Sequence, residues 1–312
     1  MFVIDTLLPI FLIIALGFEI RHRGIMSAEL QTGLTSLVFR FALPALILKS
    51  MLTAQGIASD SWRLLEVLFA AMGIMLVLGL VFCRIAKLSG PTAAAFIQAA
   101  YRGNWAFVGL PVIASVFKGK QQVIDTMLLA MGPMVLGFNV VAVILLLAGK
   151  HSLRRESLRP VLVGIVKNPL LIACFFGIIW VVAKQALPQL AAPVFLTKTL
   201  SVLGRMALPA ALICVGANIA SVPIGHKIRL AVIASLAKVA LMPLIGYGLC
   251  VWFGLEGDMR FVAIILLAIP TAVSSYIMAD RLGGDAELAA GGVVISHLLA
   301  AGSLTAVLLI FG

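Results

Sequence analysis

Ten apolar runs of about twenty residues, set apart by connections too short to fold alone, constrain this chain more than any motif does. A helix rises about 1.5 Å per residue, so roughly 20 apolar residues cross the hydrocarbon core of a bilayer. The runs cover residues 3–20, 33–54, 63–84, 92–117, 122–149, 161–184, 194–220, 228–253, 259–281 and 286–311. Only 11% of the 312 residues are charged, against about 25% in a soluble domain. That leaves no material for a polar surface. The chain reads as an all-α polytopic membrane protein with ten transmembrane helices.

The first run follows Met1 almost at once, in "MFVIDTLLPIFLIIALGFEIRHRG". It has no positive leader and no small-residue cleavage site, so it is expected to be a first span and not a removed signal. The net charge of +11 does not point to nucleic acid, because no basic stretch is interleaved with aromatics. The basic residues fall mostly between the runs. Arg21, Arg23, Arg84, Lys87, Lys150, Arg154, Arg155, Arg159, Lys167, Lys227, Arg229 and Arg281 follow odd-numbered spans; Arg63, Lys118, Lys120, Lys184 and Arg260 follow even-numbered ones. By the positive-inside rule the first set is cytoplasmic and both termini lie outside. Cys83, Cys174, Cys214 and Cys250 lie in or at the edge of apolar runs without a CxxC pair. They are expected to pack as small apolar groups, with no disulfide, metal site or cofactor.

The longest polar connection, "GKHSLRRESLRP", divides the chain into a first five-span unit at 1–149, a cytoplasmic loop at 150–160 and a second five-span unit at 161–312. Five is odd, so a repeated unit enters the membrane upside down the second time. "RFALPALIL" at 40–48 in span two matches "RMALPAALI" at 205–213 in span seven. Span four carries "GNWAFVGLP" at 103–111 and span nine carries "AIPTAVSSY" at 268–276, each with proline and small or polar residues near mid-span. Proline removes a backbone donor and glycine lowers helix propensity. Two helices interrupted at corresponding positions of inverted halves point to a transport site.

A break in hydrocarbon frees amides and carbonyls that must find partners or line a polar cavity. Amides at the start of each second half-helix suit an anion. Gly103, Asn104, Gly109 and Pro111 in span four, with Pro270, Thr271, Ser274 and Ser275 in span nine, are therefore the candidate substrate-binding residues. Asn139 in span five either lines the same site or ties helices together. Arg102 and Lys238 are candidates for anion attraction or gating, the competing reading being bonds to carbonyls freed by the breaks. Lys49 and Lys198 read as snorkelling to the interface. Arg40 and Arg205 read as a symmetric structural pair. His297 is a candidate for proton coupling, against a packed, hydrogen-bonded histidine. No acidic residue sits beside either break, so a cation site on a deep carboxylate is not visible.

The chain resembles the auxin efflux carrier family, the bacterial relatives of the plant PIN transporters. The resemblance covers the full length. It rests on "RFALPALIL", "YRGNWAFVGLPV", "FNVVAV", "RMALPAALICVGANI", "AKVALMPL" and "AIPTAVSSYIMADRLGG" in that order. It implies two inverted five-helix repeats with helices four and nine crossing at their prolines. It also implies a scaffold of helices one, two, six and seven, a homodimer through helices two and seven, and an elevator-like motion in a bacterial inner membrane. The implied substrates are small mono- or dicarboxylates, malonate-like or auxin-like. Trp105 stands where relatives commonly carry small residues, so auxin itself is not assumed. A sodium-coupled bile-acid-type symporter and a non-transporting receptor are the alternatives. An intramembrane enzyme is disfavoured, because convergent nucleophile, acid–base or metal groups are missing from the spans, and no nucleotide-binding P-loop occurs.

Overall fold

A computed structural model describes residues 2–54, 60–149, 163, 167–187, 189–222 and 227–312. The connection 150–160, with four of the basic residues used for topology, lies outside the described residues. Helices α1 (Phe2–His22), α2 (Ala28–Thr53), α3 (Asp60–Ile85), α6 (Gln121–Gly149), α7 (Pro169–Ala186), α8 (Val194–Ser221), α9 (Ile228–Trp252) and α12 (Ala286–Phe311) are each long and apolar enough to cross a membrane. Between them lie two pairs of shorter helices. Span four is α4 (Gly90–Tyr101) followed by α5 (Trp105–Val116), and span nine is α10 (Gly257–Ala268) followed by α11 (Ser274–Leu282). No strand occurs among the described residues beyond a single bridge at the breaks.

The expected start of span two shifts for a capping reason, while the expected start of span six, at 161, lies outside the described residues. Span two begins earlier, because Ser27 caps the amide of Leu30 and starts α2 at Ala28. In span six the described helix α7 begins at Pro169, where the Asn168 side chain accepts from the amides of Leu170 and Leu171. Each π-helical turn precedes a Leu-Pro or Met-Pro pair. Val38–Ala42 lies before Pro44, Trp105–Gly109 before Pro111 and Ala237–Leu241 before Pro243. The proline ring clashes with the carbonyl four residues back, and a wider turn relieves that clash. The displaced Val239 carbonyl, four residues before Pro243, accepts the Ser303 hydroxyl instead.

The helices pack as two groups, which also touch each other where α1 and α8 meet α5, α7 meets α6 and Ser50 of α2 bonds to Asp125 of α6. In the first, α1 lies on the second half of α8, and α7 lies on the second half of α2, whose neighbour is the first half of α8. These contacts are close because glycine sits at them. A Cβ at Gly216 would stand 1.9 Å from the Ile14 carbonyl oxygen, and one at Gly177 would stand 2.5 Å from Met51 Cγ. Small residues allow such backbone approach in lipid, where no hydrophobic force draws helices together. The second group joins α3 to α4, α4 to α6, and α9 to α10 and α12.

The polar ends sort by parity. Arg21 Nε donates to Ser221 Oγ at 2.9 Å, and Lys227 pairs with Asp285, so connections after odd-numbered spans meet at one end. Lys120 pairs with Asp258 at 2.8 Å, joining connections that follow even-numbered spans at the other. Asp285 caps α12 by accepting the Leu288 amide at 3.0 Å, and it also accepts the Thr92 hydroxyl at 2.8 Å. Burial pushes its carboxyl pKa up. The hydrogen bonds from Lys227, Leu288 and Thr92 outweigh this and hold it below the ordinary value. Its stabilising contribution is therefore complete above a pH of about 4 and is lost as pH falls through the lower folded value. Asp285→Asn keeps the cap but removes the charge paired with Lys227, and should cost up to about 1 kcal/mol at neutral pH. Thermal denaturation from pH 7 to pH 3 should show the gap to the native protein closing.

Candidate functional site

The two breaks meet each other. The amide of Asn104 donates to the Pro270 carbonyl at 2.9 Å, and the amide of Ala272 donates to the Arg102 carbonyl at 3.0 Å, closing an antiparallel bridge between Gly103 and Thr271. Each interrupted helix thus satisfies groups that the other frees. Glycine permits the approach. A Cβ on Gly103 would lie 3.3 Å from Ile269 Cδ1, and one on Gly109 would lie 3.0 Å from the same atom.

Beside the bridge is a cavity of about 300 Å³. One wall is the crossing itself, with Arg102, Gly103, Asn104, Trp105, Ala106 and Phe107 from span four and Ala272, Val273, Ser274, Ile277 and Met278 from span nine. Val135, Phe138 and Asn139 come from α6. The opposite wall belongs to the first helix group, with Thr35 and Phe39 of α2, Val215 and Asn218 of α8, and Asn168 and Leu170 at the start of α7. Most of this lining is apolar, and Trp105 packs edge-on against Phe138 at 5.3 Å.

The polar groups in it are few. Arg102 is only 5% exposed. Its guanidinium donates to Asn139 Oδ1 at 2.7 Å and to the Met278 sulfur at 2.8 Å. Neither partner carries charge, and Arg102 pairs with no carboxylate among the described residues. Asn104 is buried, and its side-chain amide nitrogen has no partner among the described residues. The first turn of α5 leaves the amides of Trp105, Ala106 and Phe107 without an intrahelical acceptor. A cation, a free amide and a helix N-terminus converge on one small apolar chamber.

Residues 2–308 match the family described as membrane transport protein, the auxin efflux carrier and PIN-like family. The chain belongs to this family. No curated protein matches it.

In this member of the membrane transport family, the expected site residues divide into two sets. Arg102, Gly103, Asn104, Asn139 and Ser274 line the cavity. Gly109, Pro111, Pro270, Thr271 and Ser275 lie at the crossing but outside the lining. The Thr271 hydroxyl is spent on the Ala99 carbonyl at 2.7 Å, its amide on Ser296 Oγ at 3.0 Å, and Ser275 is fully buried. The amides of Asn104, Thr271 and Ala272 are taken by protein acceptors at the crossing. Asn139 makes both kinds of contact. It lines the cavity, accepts from Arg102, and donates to the Val135 carbonyl at 2.8 Å.

Lys238 and His297 are elsewhere. Lys238 is fully buried, and its Nζ donates to the Leu267 carbonyl at 2.6 Å, the freed-carbonyl bond weighed for it above. His297 Nδ1 sits 2.8 Å from the Val293 carbonyl, and neither residue lines the cavity. Arg40, Arg205 and Lys198 are exposed, while Lys49 is half-buried. The residues that sequence reasoning missed are Thr35, Asn168 and Asn218. Each is a polar residue in or beside an apolar span, and Asn218 even lies in the quoted "VGANI". Nothing local distinguishes it from a helix-tying amide until the second wall of the cavity is known.

Proposed function

We propose that the protein is a secondary transporter of a small organic anion bound in the cavity beside the crossing. The observation that carries this is Arg102, a buried cation in a small chamber with no carboxylate to neutralise it among the described residues. A basic side chain within a bilayer costs about 2.5 kcal/mol or more, and a bound carboxylate supplies the missing counter-charge. Asn104 and the first amides of α5 complete the recognition without adding charge, which keeps release feasible. A single cation among mostly apolar walls favours a monoanion with an apolar body over a dicarboxylate.

The cavity's two walls come from different helix groups, which supports alternating access by an elevator-like sliding of the crossing group against α1, α2, α7 and α8. The packing also supports an inverted repeat. Exchanging spans one with six and two with seven turns the α1–α8 contact into the α7–α2 contact. We place the odd connections in the cytoplasm of a bacterial inner membrane, with both termini outside. A homodimer through α2 and α8 is carried as part of this reading, since Phe41, Phe195 and Val202 on those helices are exposed.

Purified protein in liposomes should catalyse counterflow of a labelled monocarboxylate. The same compound should raise the protein's unfolding temperature, because a ligand at about 100 times its Kd adds roughly 2.7 kcal/mol to the native state. Folded protein that neither exchanges nor is stabilised by any member of a broad carboxylate panel would sink the proposal. Stabilisation without counterflow would favour the receptor reading.

A further inference from the structure

The structure points to a second ionic site at the crossing, already filled by the protein itself. The C-terminal end of a broken helix carries a partial negative charge and orphaned carbonyls. In transporters built on discontinuous helices, such ends coordinate sodium or protons. α10 ends this way at Ala268. The Ile265 carbonyl accepts the Ile269 amide at 3.1 Å. The Leu266 carbonyl would face residue 270, a proline with no amide to give. The Leu267 carbonyl would accept from Thr271 in an unbroken helix, but that amide goes to Ser296 Oγ. Lys238 takes its place, with Nζ 2.6 Å from the Leu267 oxygen.

We propose that Lys238 is a tethered cation that occupies the carbonyl end of α10, so that the crossing takes no sodium and transport is indifferent to it. The ammonium is fully buried and is paired with no carboxylate among the described residues, so the helix end is its counter-charge. The serine hydroxyls of α9 and α12 are committed. Ser235 donates to the Gly292 carbonyl, Ser296 to Val293 and Ser303 to Val239. Lys238 reaches inward from the π-helical turn that Pro243 imposes on α9. The other broken helix has no equivalent fixed charge among the described residues. The Ala99 carbonyl near the end of α4 takes the Thr271 hydroxyl, and the Arg102 carbonyl takes the Ala272 amide. The device therefore belongs to span nine alone.

This inference rests on the transport reading, yet it can be tested without substrate. Unfolding temperatures of the purified protein are compared in sodium, potassium and choline chloride at equal ionic strength. The native protein and Lys238→Arg should show no difference among the salts. Lys238→Ala opens a pocket beside the Leu267 carbonyl. It should melt lower in choline and be raised, saturably, by sodium or by methylammonium, which restores an ammonium in the gap. Saturable sodium stabilisation of the native protein would overturn the proposal. So would a Lys238→Ala protein that folds as well as the native one and responds to neither cation. If Lys238→Ala folds only when methylammonium is present, the proposal is supported by that rescue. A failure to bind carboxylates would sink the transport reading but leave these salt results intact.

Discussion

Replacing Arg102 with glutamine is expected to weaken carboxylate binding about 100-fold, since losing one partner of a buried charge pair costs on the order of 3 kcal/mol. The side chain is buried beside the cavity and held by two neutral groups, Asn139 and Met278. Glutamine keeps a hydrogen-bonding head but removes the only charge in the lining among the described residues. Arg102→Lys should fall between, because a lysine keeps the charge and loses the planar fork. Asn104→Ala should cost about tenfold, the worth of one hydrogen bond. Lys49→Ala should change nothing, since Lys49 is not among the lining residues. Ligand-induced thermal shifts read all four variants on one scale. Equal losses in Arg102→Gln and Lys49→Ala would mean that general electrostatics attracts the anion, not a site.

A valine at Gly216 should destabilise the fold by about 3 kcal/mol or more, at the upper end for overpacking. The added Cβ alone would lie 1.9 Å from the Ile14 carbonyl oxygen and 2.6 Å from the Phe18 nitrogen. Both are backbone atoms of α1, so no side chain can rotate away. Gly17 meets α8 in the same manner, its Cβ position lying 2.3 Å from the Ile213 oxygen. The two glycines let α1 and α8 touch backbone to backbone, and α8 forms part of the second wall of the cavity. Gly302→Ala is the control, since nothing lies within 4 Å of its Cβ position. The valine variant should lose detergent-stable, monodisperse protein on heating well before the control does.

The long apolar spans were legible because hydrocarbon imposes length and composition directly. Runs such as 122–149 and 286–311 became α6 and α12 with hardly a shifted boundary. The interruptions were legible for a related reason. Proline and glycine at Pro111, Gly103 and Pro270 are costly in a lipid-facing helix, so their presence announces a local exception. Partner assignment was not legible. Thr271 and Ser274 look alike in "AIPTAVSSY", yet one hydroxyl is spent on Ala99 and the other residue lines the cavity. Arg102 and Lys238 were both buried cations with two readings each. Lys238 took the carbonyl bond, and Arg102 ended between an amide and a thioether, because of where α6, α10 and α11 pass.

By itself, then, the sequence determined a membrane-crossing helical chain, its family, and the two places where helices break, because those follow from transfer energies and backbone chemistry along the chain. Only the tertiary structure decided that the breaks satisfy one another, that the chamber beside them is closed by Thr35, Asn168 and Asn218 from distant spans, and that one cation lacks a counter-charge while the other caps a helix. Those outcomes depend on which atoms lie within about 3 Å of each other, and residues far apart in sequence acquire that proximity only through packing.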